Sequence, residues 1–227
     1  MNILCISDEK DMLVYSQHIK SHFKDIDLVI AAGDLSLRYY EFIISSLNKP
    51  LYFVFGNHNL EDFNKYMSSS QDQEQHDLHS NLNHAYSGEC IEGKVIRDKK
   101  TGLIIAGLGG SYKYNKGQSQ YTELEMRARI FKMIPKLVVN KIKYGRYLDI
   151  LVTHASPLGY NDDKDLCHRG FASFLTFMDL FKPKYVLHGH IHLIDSNARR
   201  RVVYRQTNII NVYKSYVLKD DRIGDTK

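Results

Sequence analysis

Asp27-Leu28-Val29-Ile30-Ala31-Ala32-Gly33-Asp34 is an unbroken apolar run between two carboxylates, closed by a glycine. A short, β-branched run of this kind reads as a strand buried on both faces. Working outward, Asn2 to Ser7 is a second such run and ends at Asp8. Between the two, Met12, Tyr15, Ile19 and Phe23 recur at intervals of three and four, which predicts an amphipathic helix. Downstream, Leu37, Tyr40, Ile44 and Leu47 predict the next helix, and Pro50 to Phe55 a third strand closed by Gly56-Asn57-His58-Asn59. The order is β-α-β-α-β, and continuous apolar strands imply a sheet covered on both faces. All three strands end in a polar residue, and carboxyl ends of strands are where ligands gather in open α/β sheets.

Length and composition bound the reading. A chain of 227 residues suits one large α/β domain, here taken as 1–227 without an internal linker. No apolar run approaches a membrane span, so a membrane partner is not expected. The first residues enter a strand directly, without the pattern of a signal peptide. Cys5, Cys90 and Cys167 are odd in number and widely spaced, which argues against a disulfide framework and for a reducing, cytoplasmic setting. The net charge of +5 permits an anionic substrate without demanding a nucleic acid. Arg199-Arg200-Arg201 is read first as a solvated turn and second as a phosphate-attracting rim.

The middle of the chain is less regular. Residues 68–80 are polar and predict a mobile loop, with His76 and His79 as solvated bystanders. Glu92 to Arg97 and Leu103 to Ala106 predict a hairpin. Residues 107–120 form a long loop whose glycines match no nucleotide-binding fingerprint. Leu124, Ala128, Phe131 and Ile134 predict a helix face, with Pro135 kinking or ending the helix. The earlier pattern then returns. Tyr147 to Thr153 is a strand ending at His154; Phe171, Phe174, Leu175 and Met178 mark a helix. Lys184 to Leu187 leads into His188-Gly189-His190-Ile191-His192. Residues 201–204, 208–212 and 216–218 are short strands expected to close a second sheet.

Alternate residues of an extended backbone point to one side, so the last histidines form a metal site, a cluster of general bases, or a histidine-rich surface loop. What separates these readings is the company they keep. Asp8, Asp34, Asn57-His58, His154 and His188 to His192 all stand at predicted strand ends. One carboxylate after a strand is ordinarily a turn former; a succession of five such ends is poorly explained by turn chemistry.

The series resembles the calcineurin-like metallophosphoesterase family, whose pattern is D-x-H, G-D, G-N-H-[DE], H and G-H-x-H. Gly33-Asp34, Gly56-Asn57-His58, His154 and Gly189-His190-Ile191-His192 stand in that order, over roughly residues 1–212. The resemblance implies a four-layer α/β/β/α sandwich of two mixed sheets flanked by helices. It also implies two metal centres. Asp34 would bridge both ions; Asp8 and His192 would hold the first, and Asn57, His154 and His190 the second. His58 would not be a ligand but would stabilise or protonate the leaving oxygen. Mixed imidazole and oxygen donors suit Mn, Fe, Zn or Ni. Two cations about 4 Å apart can generate a hydroxide that attacks phosphorus directly. The expected activity is therefore hydrolysis of a phosphomonoester or phosphodiester, with a small phosphate ester as substrate and nucleic acid as the less supported partner. A catalytically weak scaffold on the same fold is the rival reading, and a nuclease the third.

Two positions depart from the pattern. Lys10 stands where the family has a histidine, and an ammonium cannot ligate a cation. It either points away or lies beside Asp8 and replaces part of the ion's charge; both outcomes weaken the first site. Glu9 is expected to face away from the site. Asn59 stands where an acidic residue follows the histidine, which predicts a lower working pKa for His58. Among lesser candidates, His188 is either a neighbour of the site or a structural strand-end residue. His168 and Arg169 are read as a helix start before a phosphate contact. Asp162, Asp163 and Asp165 lack the glycine and glutamate of a calcium loop, and Cys167 has no partner that would make it a nucleophile.

Overall fold

The structure is a computed structural model that describes residues 1–58, 88–193 and 199–220. Asn59 and the polar segment 68–80, with His76 and His79, lie outside the described residues. Among those described, the elements run β1 (Asn2–Ser7), α1 (Ile19–His22), β2 (Leu28–Ala31), α2 (Leu37–Leu47), β3 (Leu51–Phe53), β4 (Glu89–Cys90), β5 (Val95–Arg97), β6 (Ile104–Leu108), β7 (Ser111–Tyr112), β8 (Gln120–Tyr121) and α3 (Glu123–Tyr144). They continue with β9 (Ile150–Thr153), α4 (Ala172–Phe181), β10 (Tyr185–His188), β11 (Arg201–Tyr204), β12 (Thr207–Asn211) and β13 (Lys214–Lys219).

The strands form two large mixed sheets, ordered β13-β1-β2-β3-β4 and β11-β12-β10-β9-β6-β5, with β7 and β8 paired separately. In the first, β1, β2, β3 and β4 are parallel and β13 is antiparallel to β1. In the second, β6, β9, β10 and β12 are parallel, with β5 and β11 antiparallel at the edges. The terminal run of strands therefore divides: β11 and β12 extend the second sheet as expected, while β13 crosses to complete the first.

Alternation along the strands accounts for the layers. In β1, Ile3 and Cys5 point into a core shared with Ile105, Ile150, Val152, Leu187 and Ile210 of the second sheet. Leu4 and Ile6 point the other way, against Ile19, Tyr39, Tyr40 and Ile43 from the α1–α2 side. The outer face of the second sheet packs Leu151, Val186 and Ile209 against Met126, Met133, Leu137, Phe174 and Phe177 of α3 and α4. The result is helices, sheet, sheet, helices: the four-layer sandwich that the resemblance implied.

Local readings of two helices need correction. The segment 12–23 is mostly turn, with only α1 helical. Asp11 Oδ1 accepts the Leu13 N–H at 2.8 Å, and Ser16 Oγ both donates to Leu13 O at 3.0 Å and accepts from His18 N at 3.3 Å. Such local bonds compete with the helical ladder, and Met12 is left exposed. In α3 the buried face is Met126, Ile130, Met133, Leu137 and Asn140, while Leu124 and Phe131 are exposed. Two apolar stripes compete on this helix, and the one that meets the sheet is decided by the helix's rotation against it. A Thr122–Glu125 capping box starts the helix, which runs through Pro135. Pro135 removes the hydrogen bond to the Phe131 carbonyl, which lies on the exposed side where water can replace it.

Leu137 and Phe131 separate the two helix faces experimentally. Leu137→Ala should destabilise the fold by about 2–5 kcal/mol, and Phe131→Ala by no more than about 0.5 kcal/mol, as read by urea unfolding.

Candidate metal centre

Three residues of the candidate site are held at positive φ: Asp8 at 64°, Asp34 at 56° and His190 at 68°. Left-handed backbone is uncommon outside glycine and concentrates at functional sites. Here it turns each residue as its strand ends, so that side chains from both sheets meet between them. Asp8 follows β1 and Asp34 follows β2, its parallel neighbour. Asn57 follows β3, while His154 and His190 follow the adjacent strands β9 and β10 of the other sheet.

Close backbone approach makes this convergence feasible. A Cβ at Gly56 would overlap the Asp34 carboxylate, and one at Gly189 would come within 2.5 Å of Asp8 Oδ2. Glycine is required at both places for that reason. The carboxylates also fasten the loops: His190 N–H donates to Asp8 Oδ1 at 2.9 Å, and His58 N–H to Asp34 Oδ1 at 2.9 Å.

His154, fully buried, is the centre of the polar network. Its Nδ1 lies 2.8 Å from the Ala32 carbonyl, and its Nε2 lies 3.0 Å from Asn57 Oδ1 and 3.2 Å from Asp34 Oδ2. As the Asn57 amide is placed, both ring nitrogens face acceptors, which favours the imidazolium form beside the Asp34 carboxylate. Burial opposes that charge, but Asp34, through charge and hydrogen bond, and Asp8 outweigh it and push the His154 pKa up to about 9. For Asp34, burial is likewise outweighed by His154, and its pKa falls to about 2. His190 behaves oppositely: burial and the His154 charge depress it to about 3. Its Nε2 donates to the Cys167 carbonyl at 2.8 Å, leaving the ring lone pair on Nδ1.

These groups fit a divalent cation. Asp8 Oδ2 is buried and makes no hydrogen bond of normal geometry, and burial raises the Asp8 pKa; a cation would satisfy this oxygen. The donor atoms of Asp34, His154 and His190 lie within 4.8 Å of one another. Asn57 Oδ1 belongs to the same group through His154, and the Ala32 carbonyl behind Nδ1 would present Nε2 to an ion once its proton is lost.

The flank around Asp8 is looser. His192 Nε2 lies 4.0 Å from Asp8 Oδ1, its side chain is 61% exposed, and its ring stacks on Tyr213. The Lys10 ammonium lies over the Tyr15 ring, 5.0 Å from its centroid, so it points away from Asp8. Glu9 does not face away as expected: it is bonded to the hydroxyl of Tyr213, the ring on which His192 stacks, and to Lys214 at 3.3 Å. His58 is exposed beside Asp34. His188 is fully buried, with Nδ1 donating to Gly189 O at 3.0 Å and Nε2 accepting from Asn161 at 3.5 Å. It is a satisfied strand-end residue.

Several neighbours were not picked out as site residues from the sequence. The Tyr114 hydroxyl accepts from Asn57 Nδ2 at 3.2 Å; the long loop that carries it was the only signal. Glu92 accepts the N–H groups of Phe55 at 3.4 Å and Gly109 at 3.0 Å, and pairs with Arg129. It thereby ties the segment before Gly56-Asn57 to β6 and α3. His168 and Arg169 do not start a helix. Phe171 is the N-cap of α4, and Glu123 accepts the first helical N–H groups, Ala172 at 3.2 Å and Ser173 at 2.6 Å. The arginine run is locally engaged, with Arg200 donating to the Tyr213 carbonyl at 2.8 Å and Arg201 to Asn208.

Comparison with known proteins gives the family and the fold. The model of the calcineurin-like phosphoesterase family matches residues 1–193. The chain therefore belongs to the calcineurin-like phosphoesterases, a family of generally hydrolytic enzymes that typically bind divalent metals. Among solved structures, TT1561 of Thermus thermophilus superposes with a TM-score of 0.60 at 13% identity, covering 93% of this chain and 88% of that one. The Thermus thermophilus sulfate thiohydrolase SoxB in complex with glycerol matches at a TM-score of 0.39 and 14% identity, over 89% of this chain and 36% of that one. No curated protein sequence matches. Among the described residues, no helix is long and apolar enough to cross a membrane.

The histidine shifts shape the pH dependence of stability in the metal-free protein. His154, raised from 6.5 to about 9, contributes stability that is complete below pH 6.5 and lost as pH rises to about 9. His190 and His188, depressed to about 3 and about 4, contribute stability present above pH 6.5 and lost as pH falls. Calorimetry of chelator-stripped protein should therefore show a maximum Tm near pH 6.5, and His154→Asn should flatten the alkaline side of that curve.

Proposed function

We propose that the chain is a metal-dependent phosphoric ester hydrolase acting on a small phosphate ester. The observation that carries this reading is the group Asp34, His154 and His190, whose donor atoms lie within 4.8 Å of one another, beside the buried Asp8 Oδ2, which makes no hydrogen bond of normal geometry. In this reading Asp34, Asn57, His154 and His190 would hold one ion, and Asp8 and His192, with Asp34, a second. When bound, such ions supply Lewis acidity, drawing charge from the phosphoryl oxygens and acidifying water for in-line displacement. Mn, Fe, Zn and Ni all suit the donors.

The protein's own groups do the rest. Asp34 balances the positive charge between the two sheets. His154 would face an ion with a deprotonated Nε2, its proton released to solvent, while Nδ1–H, held by Ala32, keeps the ring aimed. His58, exposed at the mouth and fixed through its backbone to Asp34, delivers a proton to the departing oxygen. On a nitrophenyl ester with Mn(II), His58→Ala should lower kcat by roughly 100- to 10,000-fold while leaving Mn(II) binding within about twofold, as read by calorimetric titration. Wild-type activity no higher than that of this variant, across several metals, would instead favour the scaffold reading.

The geometry around Lys10 supports an asymmetric centre, in which the ion beside Asp8 is held by fewer protein donors and more water. Native mass spectrometry should find one tightly held Mn(II) per chain. Lys10→His should add a second; two tight ions in the wild type would contradict the asymmetry.

A further inference from the structure

We infer that Cys167, His168 and His190 form a separate cation-binding group of thiolate and imidazole character, suited to Zn(II). Their donor atoms lie within 4.8 Å of one another, as do those of Asp34, His154 and His190. His190 thus stands between an oxygen-rich flank and a sulfur-bearing one. The inference rests on the reading of His190 as a metal-facing residue and gives it a choice of ions.

The group is built by specific contacts. Asp165 accepts His168 Nδ1–H at 2.8 Å and the His168 backbone N–H at 3.0 Å. A carboxylate behind Nδ1 fixes the tautomer and leaves the lone pair on Nε2, the support commonly found behind metal-bound histidines. The His168 and His190 rings lie 5.0 Å apart between centroids, and His190 Nε2 is bonded to the carbonyl of Cys167 itself. Asp162 pins the loop by accepting N–H groups from Gly159 at 2.9 Å and Gly170 at 3.2 Å. Cys167 is a free, partly exposed thiol, whereas Cys5 and Cys90 are buried in the core.

The chemistry follows from the donors. A thiolate and two imidazoles with an open fourth position match the three-ligand zinc pattern, whereas Mn(II) prefers the oxygens of Asp34 and Asn57. Cys167 releases its proton to solvent on binding, and no electron transfer is involved. A neutral imidazole has one lone pair, so His190 serves one ion at a time, and ligation through Nε2, the nitrogen beside Cys167, would move its proton to Nδ1 and give up the bond to the Cys167 carbonyl. Zn(II) at Cys167 and His168 therefore draws His190 away from the Asp34 group. The chain lacks a donor at position 10, on the Asp8 side, and gains two on the His190 side.

Co(II) is a spectroscopic probe for such a site. Titration of the reduced, chelator-stripped full chain should produce a near-ultraviolet thiolate-to-cobalt charge-transfer band, removed by added Zn(II). The band should vanish in Cys167→Ser, while visible ligand-field bands from the Asp34 group remain. Zn(II) affinity should fall by at least about tenfold in Cys167→Ser and His168→Ala, and by a smaller factor in Asp165→Asn. Ligand-field bands without charge transfer in the wild type would overturn the inference and leave the proposed phosphoesterase centre standing. A charge-transfer band that persists in Cys167→Ser would overturn it as well. Absence of any Co(II) binding would overturn both. Because the first readout is made on the unaltered protein, a folding defect in a variant does not rescue the idea.

Discussion

Two carboxylates buried close together at the ends of neighbouring strands cannot both stay charged unless positive charge lies between them. Asp8 and Asp34 impose that condition here, and much of the site's arrangement answers it. In the metal-free protein the answer is His154, doubly protonated against Asp34 and the Ala32 carbonyl. That arrangement serves Asp34 but leaves Asp8 Oδ2 with no hydrogen bond of normal geometry beyond the neighbouring Ser7 hydroxyl. A cation would meet that need, and the proposed metal binding follows from this imbalance more than from any single histidine.

The sandwich exists to satisfy the same condition from two directions. Each sheet is mostly parallel and delivers its strand ends to one edge, and a shared core of alternating residues holds the two edges together. Carboxylates and an amide come from the first sheet and imidazoles from the second. Neither sheet alone carries a complete donor set. Glycines at 56 and 189 let the backbones come close enough, and the left-handed turns at Asp8, Asp34 and His190 aim the side chains. Strain at those turns is tolerated because buried strands on either side hold them.

The site is uneven about Asp34. The side of His154 and His190 is buried and cross-bonded, while His192 is exposed and Lys10 is turned to Tyr15. In the proposed centre, a lysine in place of a histidine would remove a ligand without adding a compensating charge, since the ammonium lies over the Tyr15 ring. The loop that closes beside His190 brings Cys167 and His168, so the donor inventory is displaced toward that flank.

Much of this was legible in the chain itself. Continuous apolar runs at β1, β2, β3, β9 and β10 specify buried parallel strands, because only a sheet covered on both faces accommodates them. The polar residues that end those runs, in their order, specify the family and its donors. Rotation, pairing and approach were not legible, because they depend on which surface meets which. The face of α3 that is buried was set by its fit to the second sheet, since Leu124 and Phe131 form an equally apolar stripe. The sheet that β13 joins depended on where β1 left an open edge. The sequence offered Cys167 only as an unpartnered thiol and His168 only as a helix start or phosphate contact, because their relation to His190, some twenty residues away, is a tertiary contact. Strand identity and donor chemistry are local properties of a sequence; the distances among those donors are properties of the packed sheets.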